Sequence, residues 1–199
     1  MKATILIFWV LTFCAPCMRA GDSIGIIYGA VRGENVERVK TALSADTNAV
    51  NFVAEKRYTL LHFAAEHSSS NGVQILEMLL ANGAKVDARN HIHQTPLFSA
   101  VIYDNVPGTK VLLAHGAEVN ARQDGGMTPL HCAARNGYCE VARLLIQNNA
   151  AIEARTEAGE TPVVLAVEEL QDYRKEGNVS MITRYEEMIS VLRKSSIKR

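Results

Sequence analysis

TPLHCAARNGYCEVARLLIQNNAAIEARTEAGE, residues 128–160, is the stretch whose reading decides the fold. Thr128 is a good helix N-cap, and Pro129 suits the first helical turn, where its missing N–H is not required. Leu130, Ala133 and Ala134 fall on one face of that helix, and the two alanines leave room for a neighbouring helix to approach closely. Asn136-Gly137 ends it, since both residues tolerate left-handed backbone. Val141, Leu144 and Leu145 then mark a second helix at i, i+3, i+4 spacing. Asn149 predicts another left-handed cap, and the segment from Ile152 to Gly159 reads as a projecting turn or hairpin. Thr161 opens the same pattern again.

Laying the chain against itself extends the pattern in both directions. Thr59-Leu60-Leu61-His62, Thr95-Pro96-Leu97-Phe98, Thr128-Pro129-Leu130-His131 and Thr161-Pro162-Val163-Val164 align, at spacings of 36, 33 and 33 residues. A second marker follows in three of these units: Asn82-Gly83-Ala84, His115-Gly116-Ala117 and Asn148-Asn149-Ala150. Between the markers lie Met78-Leu79-Leu80, Val111-Leu112-Leu113 and Leu144-Leu145-Ile146. A pair of short helices buries only one side against itself, so neighbouring units must cover the rest.

These residues resemble the ankyrin family, whose repeat of about 33 residues carries a T-P-L-H-x-A signature. The resemblance covers roughly residues 22–194. Its departures are local: Leu60 stands where the pattern has Pro, Phe98 and Val164 where it has His, and Asn149 where it has Gly. It implies an all-α ankyrin-repeat solenoid of about five helix-turn-helix repeats joined by β-hairpin-like loops. The units are expected at residues 22–58, 59–94, 95–127, 128–160 and 161–194, followed by a basic tail at 195–199. The two ends read as caps. Residues 24–44 lack the threonine motif but place Ile27, Ala30 and Val31 on a first helix and Val36, Val39 and Leu43 on a second. At the other end a charged segment, Glu168 to Gly177, precedes the stripe Ile182, Tyr185, Ile189 and Leu192.

Composition agrees with a folded chain: 48% of residues are hydrophobic but only 6% are aromatic, which suits a core of Ala, Val, Ile and Leu. The 21 basic and 21 acidic side chains balance, so no overall field points to nucleic acid or to an anionic membrane. Residues 1–20 stand apart. Met1-Lys2 supplies a positive start, Ala3 to Ala15 is uncharged, and Pro16 to Ala20 breaks the run, which is the layout of a secretory signal peptide. The run is short for a membrane span, which needs about 20 apolar residues. Retention as an N-terminal anchor and a cytosolic location are the alternatives to cleavage. Cleavage would remove Lys2, Arg19 and no acid, leaving 19 basic against 21 acidic side chains, and would leave only Cys132 and Cys139 of the four cysteines. The expected destination is the periplasm or the secretion medium.

His62 and His131 occupy the motif position that, by the resemblance, hydrogen-bonds locally and ties turn to helix. His91-Ile92-His93 offers two metal ligands where a site needs three or four, so no metal or other cofactor is expected. Cys132 and Cys139 read as free structural thiols, with a mixed disulfide to a partner as the alternative. No nucleophile elbow, zinc-protease motif or phosphate loop is present, so no enzyme is expected; an improvised site on the concave face is the competing reading.

The candidate partner-binding residues lie elsewhere. Arg89, Arg122 and Arg155 each fall six residues before a motif threonine and 33 apart, which predicts one column along the hairpin row. Such a column is either a solvated ladder or a strip that meets an acidic partner. The resemblance places the ends of the first helices on the concave binding surface: Glu66-His67, Ile102-Tyr103, Arg135-Asn136 and Glu168-Glu169, with Tyr138 just beyond. Ile102 and Tyr103 are the expected apolar anchor, and His67, Arg135 and Tyr138 complete the set. The expectation is thus a monomeric module that binds a protein, acidic in character, and no nucleic acid.

Overall fold

The computed structural model describes residues 23–45 and 47–197. The expected signal segment lies outside the described residues. Within them the regular structure is helical, with one isolated bridge between Val53 and Thr59. Ten α-helices follow in pairs: α1 Ser23–Arg32 and α2 Val36–Ala45, α3 Leu60–Ala65 and α4 Ser70–Ala81, α5 Pro96–Ile102 and α6 Val106–Ala114, α7 Pro129–Asn136 and α8 Cys139–Gln147, α9 Pro162–Glu176 and α10 Val179–Ile197. The first members stack on one another as an inner row and the second members as an outer row. This is the all-α solenoid expected from the repeat. The charged segment before Gly177 extends α9, and α10 runs on through Ile197, past the point where the last unit was drawn.

One continuous core fills the space between the rows. Leu60, Leu61, Ala64 and Ala65 of α3 are buried against Leu97, Ala100 and Val101 of α5, and these in turn against Leu130, Ala133 and Ala134 of α7. The left-handed stops fall where the sequence puts them: Gly83 at φ 86°, Gly116 at φ 82° and Asn149 at φ 68°. Asn is the non-glycine residue that takes this conformation at least cost, so the departure at Asn149 changes nothing in the chain path.

The inner helices α3, α5, α7 and α9 each open on a motif threonine. In the units that carry the histidine, the ring locks both ends of the motif. His131 Nδ1 accepts the Thr128 N–H at 3.2 Å and lies 2.8 Å from the Thr128 hydroxyl, while Nε2 lies 3.1 Å from the Glu160 carbonyl. His62 repeats this with Thr59 at 3.1 and 2.8 Å and with the Gln94 carbonyl at 3.0 Å. Two donors aimed at Nδ1 require the neutral ring with its proton on Nε2, which then donates to the carbonyl. Burial accordingly holds both imidazoles below their ordinary pKa. Where Phe98 replaces the histidine, the hydroxyl of Thr95 is buried with no hydrogen-bond partner. The substitution exchanges a polar lock for apolar packing.

The connectors are tight projecting turns rather than paired strands. Asn90 N–H donates to the Gln94 carbonyl at 3.0 Å, Gln123 to Met127 at 3.1 Å and Thr156 to Glu160 at 2.9 Å, a 33-residue rhythm. Successive tips are bonded to one another: His91 N–H to the Lys56 carbonyl, Asp124 to Ile92 and Glu157 to Gly125. The unit with three extra residues keeps this register because the extra length sits in its outer helix. That helix, α4, has 12 residues where α6 and α8 have nine each.

Candidate protein-binding face

The tip row carries the arginine column, and its geometry is that of a ladder. Arg89 Nη1 donates to the Arg122 carbonyl at 3.0 Å, and Arg122 Nη1 donates to the Arg155 carbonyl at 2.8 Å. Each guanidinium also closes its own turn, on His93 at 3.5 Å, Gly126 at 2.8 Å and Gly159 at 2.8 Å. Arg89 further pairs with Glu118 at 3.1 Å. Arg122 and Arg155 are exposed, and neither forms an ion pair among the described residues. The column is therefore first a staple between repeats, with one nitrogen of each guanidinium committed to backbone and the charge of two left toward solvent.

The histidines beside it are tied separately. His91 Nδ1 lies 3.1 Å from the Lys56 carbonyl, and His93 Nδ1 lies 2.6 Å from Asp124 Oδ1. Among the described residues no group of three His, Cys, Asp or Glu is placed to hold a metal. Cys132 is buried and Cys139 partly so, and both are free thiols. Burial pushes the Cys132 thiol up to about 11, which leaves it almost wholly protonated at neutral pH.

On the inner row the five remaining candidates separate by what their side chains already hold. Ile102 and Tyr103, at the end of α5, are 38% and 56% exposed and form the apolar surface near the middle of the row. His67 pairs with Glu34 at 3.1 Å, and the Ser69 hydroxyl donates to the same carboxylate. Arg135 reaches Glu169 at 3.7 Å. Tyr138 is a strut: its hydroxyl donates back to the Ile102 carbonyl at 3.4 Å. Asn105 and Tyr185 act in the same way at their own seams, Asn105 Nδ2 on the Ala65 and His67 carbonyls at 2.8 and 2.9 Å and Tyr185 on the Arg135 carbonyl at 2.6 Å. Each of the three reaches carbonyls that the end of the preceding inner helix leaves open.

Sequence reasoning did not find the aromatic cluster at the N-terminal end of this row. Tyr28 of α1 meets Phe63 of α3 edge-on at 5.1 Å between ring centres and Phe52 at 6.5 Å. Tyr58, one residue before the motif threonine, lies 5.4 Å from Phe63. Arg32 stands over both Phe63 and Tyr28, at 5.6 and 5.9 Å, and donates to the Tyr28 hydroxyl. Glu66 ends α3 beside this cluster, and burial pushes its carboxyl up to about 7, with the nearby Arg32 charge opposing only in part. The phenols of Tyr58 and Tyr103 are raised by their own burial and then by the Glu66 charge, so all three groups share one neighbourhood. The one available signal was composition, since Tyr28, Phe52, Tyr58 and Phe63 fall within 36 residues of a chain that is otherwise poor in aromatics.

Comparison with known proteins agrees with the architecture. The family profile described as ankyrin repeats (3 copies) matches residues 26–123, 61–156 and 120–177. An ankyrin repeat protein of fowlpox virus (strain NVSL) is 31% identical over 81 residues, which is 41% of this chain and 11% of the viral protein. The match thus spans a small part of that relative. No helix among the described residues is long and apolar enough to cross a membrane.

Proposed function

Because the chain belongs to the ankyrin-repeat family, whose repeats serve as protein-interaction scaffolds, we propose that it is an exported module that binds one partner protein across the inner helix row and the tip row. The observation that carries this reading is the pair Ile102 and Tyr103, large apolar side chains left in solvent near the middle of a face otherwise built from committed polar groups. Exposed aromatics of this kind are common anchors of interfaces. Arg135, His67 and Tyr138 flank them and form the rim. Along the tips, the unpaired charges of Arg122 and Arg155 suit an acidic stretch of the partner, with Arg89 contributing beside Glu118. Export rests on the layout of residues 1–20. Intact mass of the protein from its native host tests it: an N-terminus between Met18 and Ser23 is expected, and a full-length species alone would remove export.

Binding kinetics test the interface, using the partner recovered from the native host and two salt concentrations. Tyr103→Ala should speed dissociation by roughly tenfold. Neutralising Arg122 and Arg155 to Gln should mainly slow association at low salt and flatten its salt dependence. Circular dichroism confirms that each variant folds. If both bind as the wild type does, the partner uses another surface, and the outer row becomes the candidate.

A further inference from the structure

The four connector tips, residues 53–58, 89–94, 122–127 and 155–160, do not build their turns from the same residues. Every one is left-handed two residues before the motif threonine, at Arg57, His93, Gly126 and Gly159. The first and third add a second left-handed residue ahead of it: Lys56 and Arg57 at φ 56° and 60°, Gly125 and Gly126 at φ 81° and 75°. In the first tip the Tyr58 N–H closes the turn on the Glu55 carbonyl at 3.3 Å, and the Ala54 N–H reaches the Tyr58 carbonyl at 2.7 Å. Two adjacent left-handed residues inside such a closure make a type I′ turn, which favours Asn-Gly or Gly-Gly because a β-carbon crowds the backbone there. The fold meets that demand with Gly125-Gly126 and departs from it with Lys56-Arg57. What the next repeat takes from the first tip is backbone: the Lys56 carbonyl accepts the His91 N–H at 2.9 Å and lies 3.1 Å from His91 Nδ1. The Arg57 side chain is exposed and has no hydrogen bond or ion pair among the described residues. The turn thus carries strain at a pair of cations, and strain held in an exposed turn points to a use outside the fold.

Charge is also graded along the row. The first tip sets Lys56 and Arg57 against Glu55, the third balances Arg122 against Asp124, and the fourth sets Glu157 and Glu160 against Arg155. We propose that Lys56 and Arg57 receive the acid-rich end of a partner segment that lies along the tips. This deepens the protein-binding reading above and rests on it. The grading selects the occupant. A long polyanion such as nucleic acid would run from the first tip onto Glu157 and Glu160, whereas a segment acidic at one end only meets the cations and keeps its neutral part for the far tips. The turn selects it too. A tight turn fixes where its two cations start, so less backbone order has to be gained when carboxylates bind than in a mobile tail. Arg57 supplies the fork that matches a carboxylate, and Lys56 a compact second charge.

The test uses the full chain and N-acetyl-hexaglutamate, a probe whose extended length of about 20 Å spans two tips set about 10 Å apart. In an NMR titration at low salt the amide resonances of Lys56, Arg57 and His91 should shift saturably, in roughly the millimolar range for so small a ligand. Arg193 and Lys194, an adjacent exposed cation pair on α10, should not respond. Two double variants separate charge from turn. Lys56→Asn with Arg57→Gly installs the favoured turn pair. It should raise the melting temperature by about 4 °C and weaken the probe roughly fivefold. Lys56→Gln with Arg57→Gln keeps the strain and removes the charge, so it should weaken the probe as much and leave melting where it was. Shifts of equal size at Arg193 and Lys194, unchanged probe affinity in the Gln pair, or an Asn-Gly variant no more stable than the wild type would each overturn the proposal. Association of the partner recovered from the native host separates it from the docking reading. If the Gln pair leaves association unchanged while Arg122→Gln with Arg155→Gln slows it, the first-tip site falls and docking along the tips stands. If the probe binds the first tip while the partner ignores both Tyr103→Ala and the arginine variant, the docking reading falls and the first tip remains a site for acidic segments.

Discussion

His131→Ala is expected to lower the stability of the fold by about 3 kcal/mol, through three lost hydrogen bonds and the cavity left behind. The ring accepts from the Thr128 amide, takes the Thr128 hydroxyl and donates to the Glu160 carbonyl, all while fully buried. Each lost hydrogen bond contributes about 1 kcal/mol, and truncation also opens a void that the flanking helices cannot fully close. Thr95→Val supplies the contrast. Its hydroxyl already lacks a partner, so its removal should move stability by no more than about 0.5 kcal/mol. Urea unfolding measures both. The same ring predicts a pH dependence. His62 and His131 are held neutral with pKa values below the ordinary one. Their contribution is therefore complete above about pH 6.5, where the unfolded chain's histidines are also neutral. As pH falls below that value the unfolded chain takes up protons that the fold refuses, and stability declines until the depressed folded values are reached. His131→Ala should remove part of this acid sensitivity and leave partner affinity of the folded molecule intact. A variant with unchanged melting that no longer binds would make His131 a contact residue instead.

Glu66→Gln should act in the opposite sense and stabilise the protein at pH 8 by about 2 kcal/mol. The carboxyl is raised from an ordinary 4.5 to about 7, first by burial, so the fold accommodates the neutral acid better than the anion. Below the unfolded pKa both states are protonated and nothing is lost. Between 4.5 and about 7 the unfolded chain releases its proton while the folded one retains it, so stability falls as pH rises and the loss is complete above that window. Each pKa unit corresponds to about 1.4 kcal/mol, and the part of the group left in water warrants a reduction to about 2 kcal/mol in all. The charged and titratable neighbours are Arg32 from α1, Tyr58 from the connector, Tyr103 from α5 and the His67–Glu34 pair. Urea unfolding at pH 4 and pH 8 separates the effect from a general gain: the variant should match the wild type at pH 4 and exceed it at pH 8. Equal stabilities at both would remove the electrostatic account.

The parts of this molecule that sequence discloses are those set by short spans of chain. Thr128-Pro129 and Asn136-Gly137 bound a helix through their own backbone preferences, and Asn149 in place of glycine takes the left-handed conformation its spacing predicts. The arginine column is legible as a column because 33 residues separate its members. What it holds is not legible, because the acceptor is a backbone carbonyl one repeat away, and carbonyls have no sequence identity. The struts Asn105, Tyr138 and Tyr185 hide for the same reason, which is why Tyr138 reads as a contact residue before its hydroxyl is seen on Ile102. Glu66 is harder still. Alignment sets it opposite Ile102 and Arg135, which says only that the position varies. The environment comes from α1, a connector, α3 and α5 together, and appears only when three repeats are stacked.

The lengthened helix α4 has a consequence for how such an array changes over time. Three added residues make most of a turn, about 4.5 Å of rise, and they extend the outer row while every tip and every inner helix keeps its neighbour. The molecule is a ruler on one side and elastic on the other. Growth or loss of helical turns on the outer row leaves the graduation of the tips untouched, whereas one residue gained within a tip, between Arg122 and Gly126 or between Arg155 and Gly159, would move a guanidinium off its carbonyl and break the scale. Variation in length is therefore channelled to the back of the molecule, and variation in side chain to the front.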